Sequence, residues 1–179
     1  MTPQTSPLAT LSPPARRPAP VDAELGAWRA FIQTHARLLH QLDEELQAAH
    51  GLSLAEYDAL LQLANAPEGR LRMSALADRV LLSRSGITRL VDRLVADGMV
   101  ERSACPTDAR GSMAAITTQG VSGLRAASKT HLEGVRRYFL DVVSSEEQAV
   151  LQNSLERVSD GLTGRGPGAD SVCTTPLED

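Results

Sequence analysis

The sequence contains few aromatic residues and no long apolar run. Aromatic side chains make up 3% of the 179 residues, against 42% for hydrophobic residues as a whole. Leu, Val and Ala therefore supply most of the apolar surface, which favours helices over β-sandwiches. No apolar run approaches the roughly 18 residues of a membrane span, and the N-terminus lacks the apolar stretch of a signal peptide. These absences predict a helix-rich cytoplasmic protein that has no membrane partner.

Cysteines and catalytic motifs are also scarce. The two cysteines, Cys105 and Cys173, lie far apart in the sequence, which argues against both a disulfide framework and a metal-ligand cluster. The chain has no Gly-rich phosphate loop, no Gly-x-Ser-x-Gly motif and no His-Glu-x-x-His motif. We therefore expect no enzyme activity, no cofactor and no metal.

The two ends of the chain differ in composition from the middle. Residues 1–20 hold six of the ten prolines, a density that prevents regular helix and predicts a disordered arm. Residues 163–179 are rich in Gly, Thr and Asp, which predicts a disordered tail. The length of the remainder suits a single domain over residues 22–162.

Charge is distributed unevenly along the chain. The net charge is −4, yet residues 70–110 carry eight arginines against five acids, a local charge of +3 in a remainder of −7. A basic central segment between acidic flanking segments is expected of a domain that contacts phosphates on one side only.

Residues 83–94 within this basic stretch read as an amphipathic helix. Ile87, Leu90, Val91 and Leu94 fall at the i, i+3, i+4, i+7 spacing of a buried stripe. In isolation, the opposite polar face is better explained by simple solvent exposure than by function. That face combines charges suited to phosphates with groups suited to base edges: Arg84, Ser85, Thr88, Arg89 and Arg93.

The neighbouring segments favour a DNA-reading role for this helix. A short helix capped by Ser74, followed by a tight link at residues 81–82, gives a helix-turn-helix arrangement. Two short strands, at about 99–103 and 112–117, flank a Pro-, Asp- and Gly-containing loop at 105–111 and predict a β-hairpin. A hairpin after a helix-turn-helix is a wing, and its tip would present Arg110 to a narrow minor groove.

Long helices are predicted on both sides of this unit. Residues 22–50 form an apolar line that steps by three and four, with Asp22 as the N-cap, and Ser53 and Glu56 form a capping box for the next helix. Thr117 caps a helix that extends to about residue 143, and a capping box at residues 144–147 opens the last helix. Such long apolar seams predict packing against a second chain.

Residues 51–120 resemble the MarR family of winged-helix transcriptional regulators. The resemblance is carried by residues 82–94, by residues 97–102, and by the wing sequence 108–111 leading to 116–120. It implies a mainly α fold with a small β-hairpin wing. The winged helix-turn-helix would span about 53–117, flanked by dimerisation helices at about 22–50 and 118–162.

The resemblance also implies a function. It predicts a homodimeric, ligand-responsive repressor that binds double-stranded DNA at a pseudo-palindromic operator. A small aromatic or phenolic effector would bind near Trp28, His35 and Tyr57, although for each of these residues a structural role in packing is the favoured alternative. The residues that we predict to contact DNA are Arg72, Ser83, Arg84, Ser85, Thr88, Arg89, Arg93, Asp108 and Arg110.

The acidic overall charge keeps a second hypothesis open. In it, the winged helix is a protein-interaction module or scaffold that does not bind DNA. A protein-only module would show no ordered release of counterions from DNA, so the salt dependence of DNA binding separates the two hypotheses.

Overall fold

The computed structural model describes residues 25–105 and 108–163, with side chains for 25–104 and 111–162. The predicted arm, the predicted tail after Thr163, the predicted cap Asp22, and the side chains of Cys105, Asp108 and Arg110 lie outside the described residues. The described chain forms two compact units, of which the first ends at His40 and the second begins at Gln41.

Helices dominate the described chain, and the predicted mainly α fold with a small wing is confirmed. None of the helices in the described ranges is both long and apolar enough to cross a membrane. A 3-10 turn at Pro67–Gly69 precedes the first strand, and a π-helical segment at Arg136–Leu140 extends α5. The helices and strands are α1 (Gly26–His50), α2 (Leu54–Ala64), β1 (Arg70–Arg72), α3 (Met73–Arg79), α4 (Arg84–Ala96), β2 (Val100–Cys105), β3 (Asp108–Ile116), α5 (Thr118–Val135) and α6 (Ser145–Thr163).

The wing belongs to a three-stranded antiparallel sheet with the strand order β1-β3-β2. In β1, Leu71 pairs with Ala114 of β3, while Val100 of β2 pairs with Ile116. The predicted loop at 105–111 is too long, because β3 already begins at Asp108. The cross-strand ladder outweighs the turn preference of the Asp and Gly residues in this stretch.

Three predicted helix starts are confirmed by their hydrogen bonds. At the start of α6, the Ser144 amide donates to Glu147 Oε2 at 2.9 Å and the Glu147 amide donates to Ser144 Oγ at 3.3 Å, which completes the predicted capping box. The Ser53 amide donates to Glu56 Oε2 at 2.9 Å, and the Glu56 amide donates to Ser53 Oγ at 3.2 Å, which completes the capping box of α2. Thr117 caps α5 by accepting a hydrogen bond from the Gly120 amide at 3.0 Å. In all three cases local side chains satisfy amides that a helix end leaves unpaired.

The predicted start of α3 is wrong. The helix begins at Met73 rather than after Ser74, and its N-cap, Arg72, makes no side-chain hydrogen bond to the first turn. Arg72 is also the last residue of β1, so the chain passes directly from strand to helix. Pairing of β1 with β3 fixes this start, and the sequence around Ser74 carries no sign of that pairing.

The core of the second unit lies where α2, α4 and α5 meet the sheet. Leu60 and Leu63 of α2, Leu94 of α4 and Leu124 of α5 are all fully buried. The α5 backbone approaches β2 closely at Gly120, where a Cβ atom would overlap the Met99 carbonyl oxygen. This core holds α4 by its apolar face and leaves its opposite face in solvent.

Candidate nucleic-acid interface

Helix α4 presents its polar face outward, as its periodicity predicts. Ile87, Leu90, Val91 and Leu94 are at most 3% exposed. The exposed residues of the opposite face include all five that the sequence analysis assigned to DNA: Arg84, Ser85, Thr88, Arg89 and Arg93.

Ser83 closes the N-terminus of α4. Its hydroxyl accepts a hydrogen bond from the Gly86 amide at 3.1 Å and lies 3.2 Å from the Ser85 hydroxyl. The structure therefore gives Ser83 a capping role, in addition to the DNA contact predicted for it. Capping also fixes the direction in which the first turn of α4, with Arg84 and Ser85, leaves the preceding link.

That link contains a leucine in an unusual backbone conformation. Leu81, between α3 and α4, has a φ of +55° and is 90% exposed. Helix-turn-helix links often place glycine at such a position, because glycine alone adopts positive φ without steric cost. The link still brings α3 and α4 into the arrangement that the sequence predicts.

Arg102 on β2 connects the wing to α4. Its Nη1 atom lies 2.9 Å from Asp92 Oδ1, and its Nη2 atom donates to the Thr88 carbonyl at 3.4 Å. One guanidinium group thus contacts two successive turns of the helix. Arg102 is not among the residues predicted from the sequence to contact DNA, although its place two residues after the buried Val100, on the same face of a strand, was the available signal.

A groove of about 400 Å³ lies between α4 and the sheet. Three arginines line it, each from a different element: Arg72 from β1, Arg84 from α4 and Arg102 from β2. Hydroxyl groups complete its polar lining, and two of them, Ser74 and Ser112, were not predicted. This α4 groove offers forked cationic donors beside hydroxyl groups, which is the chemistry that binds a phosphate backbone.

Arg93 differs from the other predicted residues of α4. Its Nε atom donates to Glu56 Oε1 at 2.6 Å, and Glu56 is only 6% exposed. The side chain of Arg93 remains 60% exposed. The edge of its guanidinium group away from Nε is therefore the part available to a phosphate.

The three residues predicted to line an effector site lie on two helices. Trp28 and His35 are exposed residues of α1 before Gln41, and each lies beside Phe31, at ring-centroid distances of 6.5 and 6.0 Å. Tyr57 lies on α2, buried, with its ring 4.6 Å from that of His131. This stacked pair was not predicted from the sequence.

Burial changes the titration of the Tyr57 and His131 pair. It raises the pKa of Tyr57 and lowers the pKa of His131, and in His131 the negative charge of Asp58 opposes part of that effect. The Tyr57 hydroxyl lies 3.4 Å from Ser128 Oγ. Within the described residues, His131 Nδ1 is buried and has no hydrogen-bond partner.

Comparison with known proteins agrees with this arrangement. A family model described as MarR family matches residues 50–111, which include the capping box of α2, α3, α4 and most of the wing. The transcriptional regulator MhqR of Bacillus subtilis is 31% identical over 109 residues, which cover 61% of this chain and 73% of MhqR. The chain belongs to the MarR family. It is a DNA-binding transcriptional regulator.

Solved structures of MarR-family regulators from Streptomyces coelicolor are similar over nearly their whole length. Sco3205, solved in complex with DNA, is 34% identical to this MarR-family chain, with a TM-score of 0.78. The match covers 86% of this chain and 97% of Sco3205. AbsC is 31% identical, with a TM-score of 0.76 over 83% of this chain and 100% of AbsC.

Proposed function

We propose that this MarR-family regulator is a homodimeric repressor that binds a pseudo-palindromic operator. The observation that carries the proposal is the polar face of α4 beside the α4 groove, where Arg72, Arg84 and Arg102 converge. The similar regulator Sco3205 was solved in complex with DNA. In this proposal α4 enters the major groove, and the two copies of α4 reach successive major grooves about 34 Å apart.

Within this proposal the predicted site residues divide by chemistry. One group faces base edges and consists of Arg84, Ser85, Thr88 and Arg89. A second group, Arg72 and Arg102, meets phosphates at the rim of the DNA groove. Ser83 holds the first turn, and Arg93 serves chiefly the ion pair with Glu56. Asp108 and Arg110 remain the proposed wing residues, with Arg110 in the minor groove.

A homodimer is supported by apolar side chains that the chain leaves in solvent. On α6, Val150, Val158 and Leu162 are 68%, 59% and 83% exposed, and on α1 Trp28 is 59% exposed. A single chain would place these side chains in water at a cost of about 25 cal/mol per Å². A second copy of the chain covers them in our proposal.

The ligand response is a shift between two states of the dimer. A small aromatic or phenolic effector that prefers a wider spacing of the two α4 helices would weaken DNA binding. The loss of DNA-binding free energy would be limited to the difference between the effector's affinities for the two states of the dimer. In this role the protein acts in the cytoplasm and is not an enzyme.

The test is a mobility-shift assay of the full chain on DNA upstream of its own coding sequence, with a shuffled duplex of equal length as control. We expect preference for the natural duplex at moderate salt, and a steep fall in affinity as salt increases. Equal binding to both duplexes would refute the proposed operator recognition. No salt-dependent binding to either duplex would favour the protein-interaction scaffold instead.

A further inference from the structure

The hydroxyl group of Thr88 has its single hydrogen already committed. Thr88 Oγ1 donates to the Arg84 carbonyl oxygen one turn earlier, at 2.8 Å. A threonine hydroxyl has one donor and two acceptor lone pairs. Toward the outside of α4, this hydroxyl group therefore offers acceptor capacity only, beside its methyl group.

The bond to Arg84 also fixes the direction of the side chain. Threonine in a helix divides between two χ1 rotamers, and the hydrogen bond to the carbonyl four residues earlier selects between them. The backbone around Thr88 is fixed as well, because Arg102 donates to its carbonyl oxygen at 3.4 Å. The acceptor on Thr88 is thus held in place before any partner arrives.

The other hydroxyl groups at the start of α4 do not share this property. Ser83 Oγ and Ser85 Oγ lie 3.2 Å apart, and either can be the donor. Their hydrogens can rotate to suit either a donor or an acceptor on a base. Among these three hydroxyl groups, that of Thr88 is the one whose role toward a ligand, as an acceptor, is set by a hydrogen bond within the helix.

We propose that Thr88 is a specificity-determining residue that accepts a hydrogen bond from an exocyclic amino group in the major groove. This inference rests on the proposed operator binding. Adenine N6 and cytosine N4 present amino donors in the major groove, whereas guanine and thymine present carbonyl oxygens at the corresponding positions. An acceptor held opposite a carbonyl oxygen would find no donor, so Thr88 selects adenine or cytosine at one position of each half-site.

The experiment selects bound duplexes from a randomised library with the full chain and three variants. Thr88→Val keeps the shape and one methyl group but removes the acceptor, and Thr88→Ser keeps the acceptor but removes the methyl group. Ser122→Ala is the matched control, because Ser122 Oγ makes the same bond to the carbonyl of Thr118, at 3.1 Å, on an exposed face of α5. Circular dichroism melting checks that each variant folds.

We expect the wild-type protein to select adenine or cytosine at one position per half-site, with about tenfold preference. Thr88→Val should lose that preference, while Thr88→Ser and Ser122→Ala retain it. Replacing the selected adenine by purine, or the selected cytosine by pyrimidin-2-one, removes the amino group and identifies which base is read. On the modified duplex, the affinity of the wild-type protein should fall to that of Thr88→Val. The affinity of Thr88→Val itself should be the same for the modified and unmodified duplexes.

Three results would overturn the inference. Unchanged base preferences in Thr88→Val would refute the role of Thr88 while leaving operator binding intact. A preference for thymine that Thr88→Ser loses and Thr88→Val keeps would show a methyl contact instead of a hydrogen bond. Absence of any selected sequence with the wild-type protein would refute the proposed operator binding, and the inference with it.

Discussion

Arg93 Nε donates to Glu56 Oε1 at 2.6 Å and so joins the last turn of α4 to the first turn of α2. The other carboxylate oxygen of Glu56 accepts from the amide and the hydroxyl of Ser53, at 2.9 and 2.8 Å. One buried carboxylate therefore caps α2 and anchors α4. The α2 amide of Leu54 also donates to Asp43 Oδ1 at 2.7 Å, which continues the chain of contacts to the second part of α1.

Replacing Glu56 should destabilise the fold more than replacing its partner. Glu56→Ala removes the glutamate half of the α2 capping box and the anchor of α4, so we expect the free energy of unfolding to fall by about 2 kcal/mol. Arg93→Ala leaves the capping box intact and should cost about 1 kcal/mol. Urea denaturation at a fixed protein concentration measures both, since the unfolding of a dimer depends on concentration.

Arg89→Ala is the matched control for Arg93→Ala, because Arg89 lies one turn earlier on the same exposed face of α4. It should change the free energy of unfolding by less than about 0.5 kcal/mol. A Glu56→Ala variant as stable as the Arg89→Ala control would show that the buried carboxylate does not anchor the two helices.

The same carboxylate should make stability depend on pH. Burial alone would raise the pKa of Glu56, but hydrogen bonds from the Ser53 amide and from Arg93 outweigh it and lower the pKa below its usual value. A lowered pKa means that the folded state holds fewer protons than the unfolded state near the ordinary glutamate pKa of about 4.3. The contribution of Glu56 is therefore present above that pH and is lost as the pH falls through its folded pKa.

Chemical denaturation between about pH 6 and pH 3 measures this contribution. Wild-type stability should fall more steeply with decreasing pH than that of Glu56→Gln, which cannot titrate at this position. Parallel pH profiles for the two proteins would contradict the lowered pKa.

The sequence predicted the features of the fold that depend on neighbours along the chain. The two faces of α4 follow from the spacing of Ile87, Leu90, Val91 and Leu94, and the caps at Ser53 and Thr117 follow from bonds that span three residues. These signals are local, because a helix turn brings residues three and four apart together. The resemblance of residues 82–94 and of the wing to one family predicted the winged-helix arrangement of these elements.

Contacts between distant residues could not be predicted in this way. Arg93 and Glu56 are 37 residues apart, and the pattern that marks Arg93 as exposed says nothing about the carboxylate beside it. Arg102 reaches the α4 groove only because the sheet places β2 next to α4. The start of α3 at Met73 depends on the pairing of β1 with β3. Each of these features is set by tertiary packing.

A methyl group at Gly120 should destabilise the protein strongly. A Cβ atom at this position would overlap the Met99 carbonyl oxygen and lie 2.8 Å from Ile116 Cγ1. Because a backbone oxygen cannot rotate aside, we expect Gly120→Ala to lower the free energy of unfolding by about 3 kcal/mol.

Gly123→Ala, one turn later on α5, is the control for this prediction. Its Cβ atom would meet only the end of the Met99 side chain, at 3.4 Å, and alanine favours the helix by up to about 1 kcal/mol. The variant should therefore be as stable as the wild type or more stable. Equal stability of both alanine variants would show that α5 can move away from β2 at little cost.

Neutralising Arg102 should weaken DNA binding by a similar factor for every sequence. Its guanidinium group lines the α4 groove with Arg72 and Arg84, where we expect it to meet a phosphate rather than a base. Loss of one phosphate contact reduces the slope of log affinity against log salt concentration by about one. The affinity difference between wild type and Arg102→Met should therefore shrink about threefold between about 50 and 200 mM salt.

Arg79→Met controls for the loss of one positive charge from the surface. Arg79 is exposed in the last turn of α3 and does not line the α4 groove, so its salt slope should match the wild type. Equal slopes for both variants would show that Arg102 serves only to hold the wing through Asp92. A loss of affinity for one operator base alone in Arg102→Met would instead show that Arg102 reads a base.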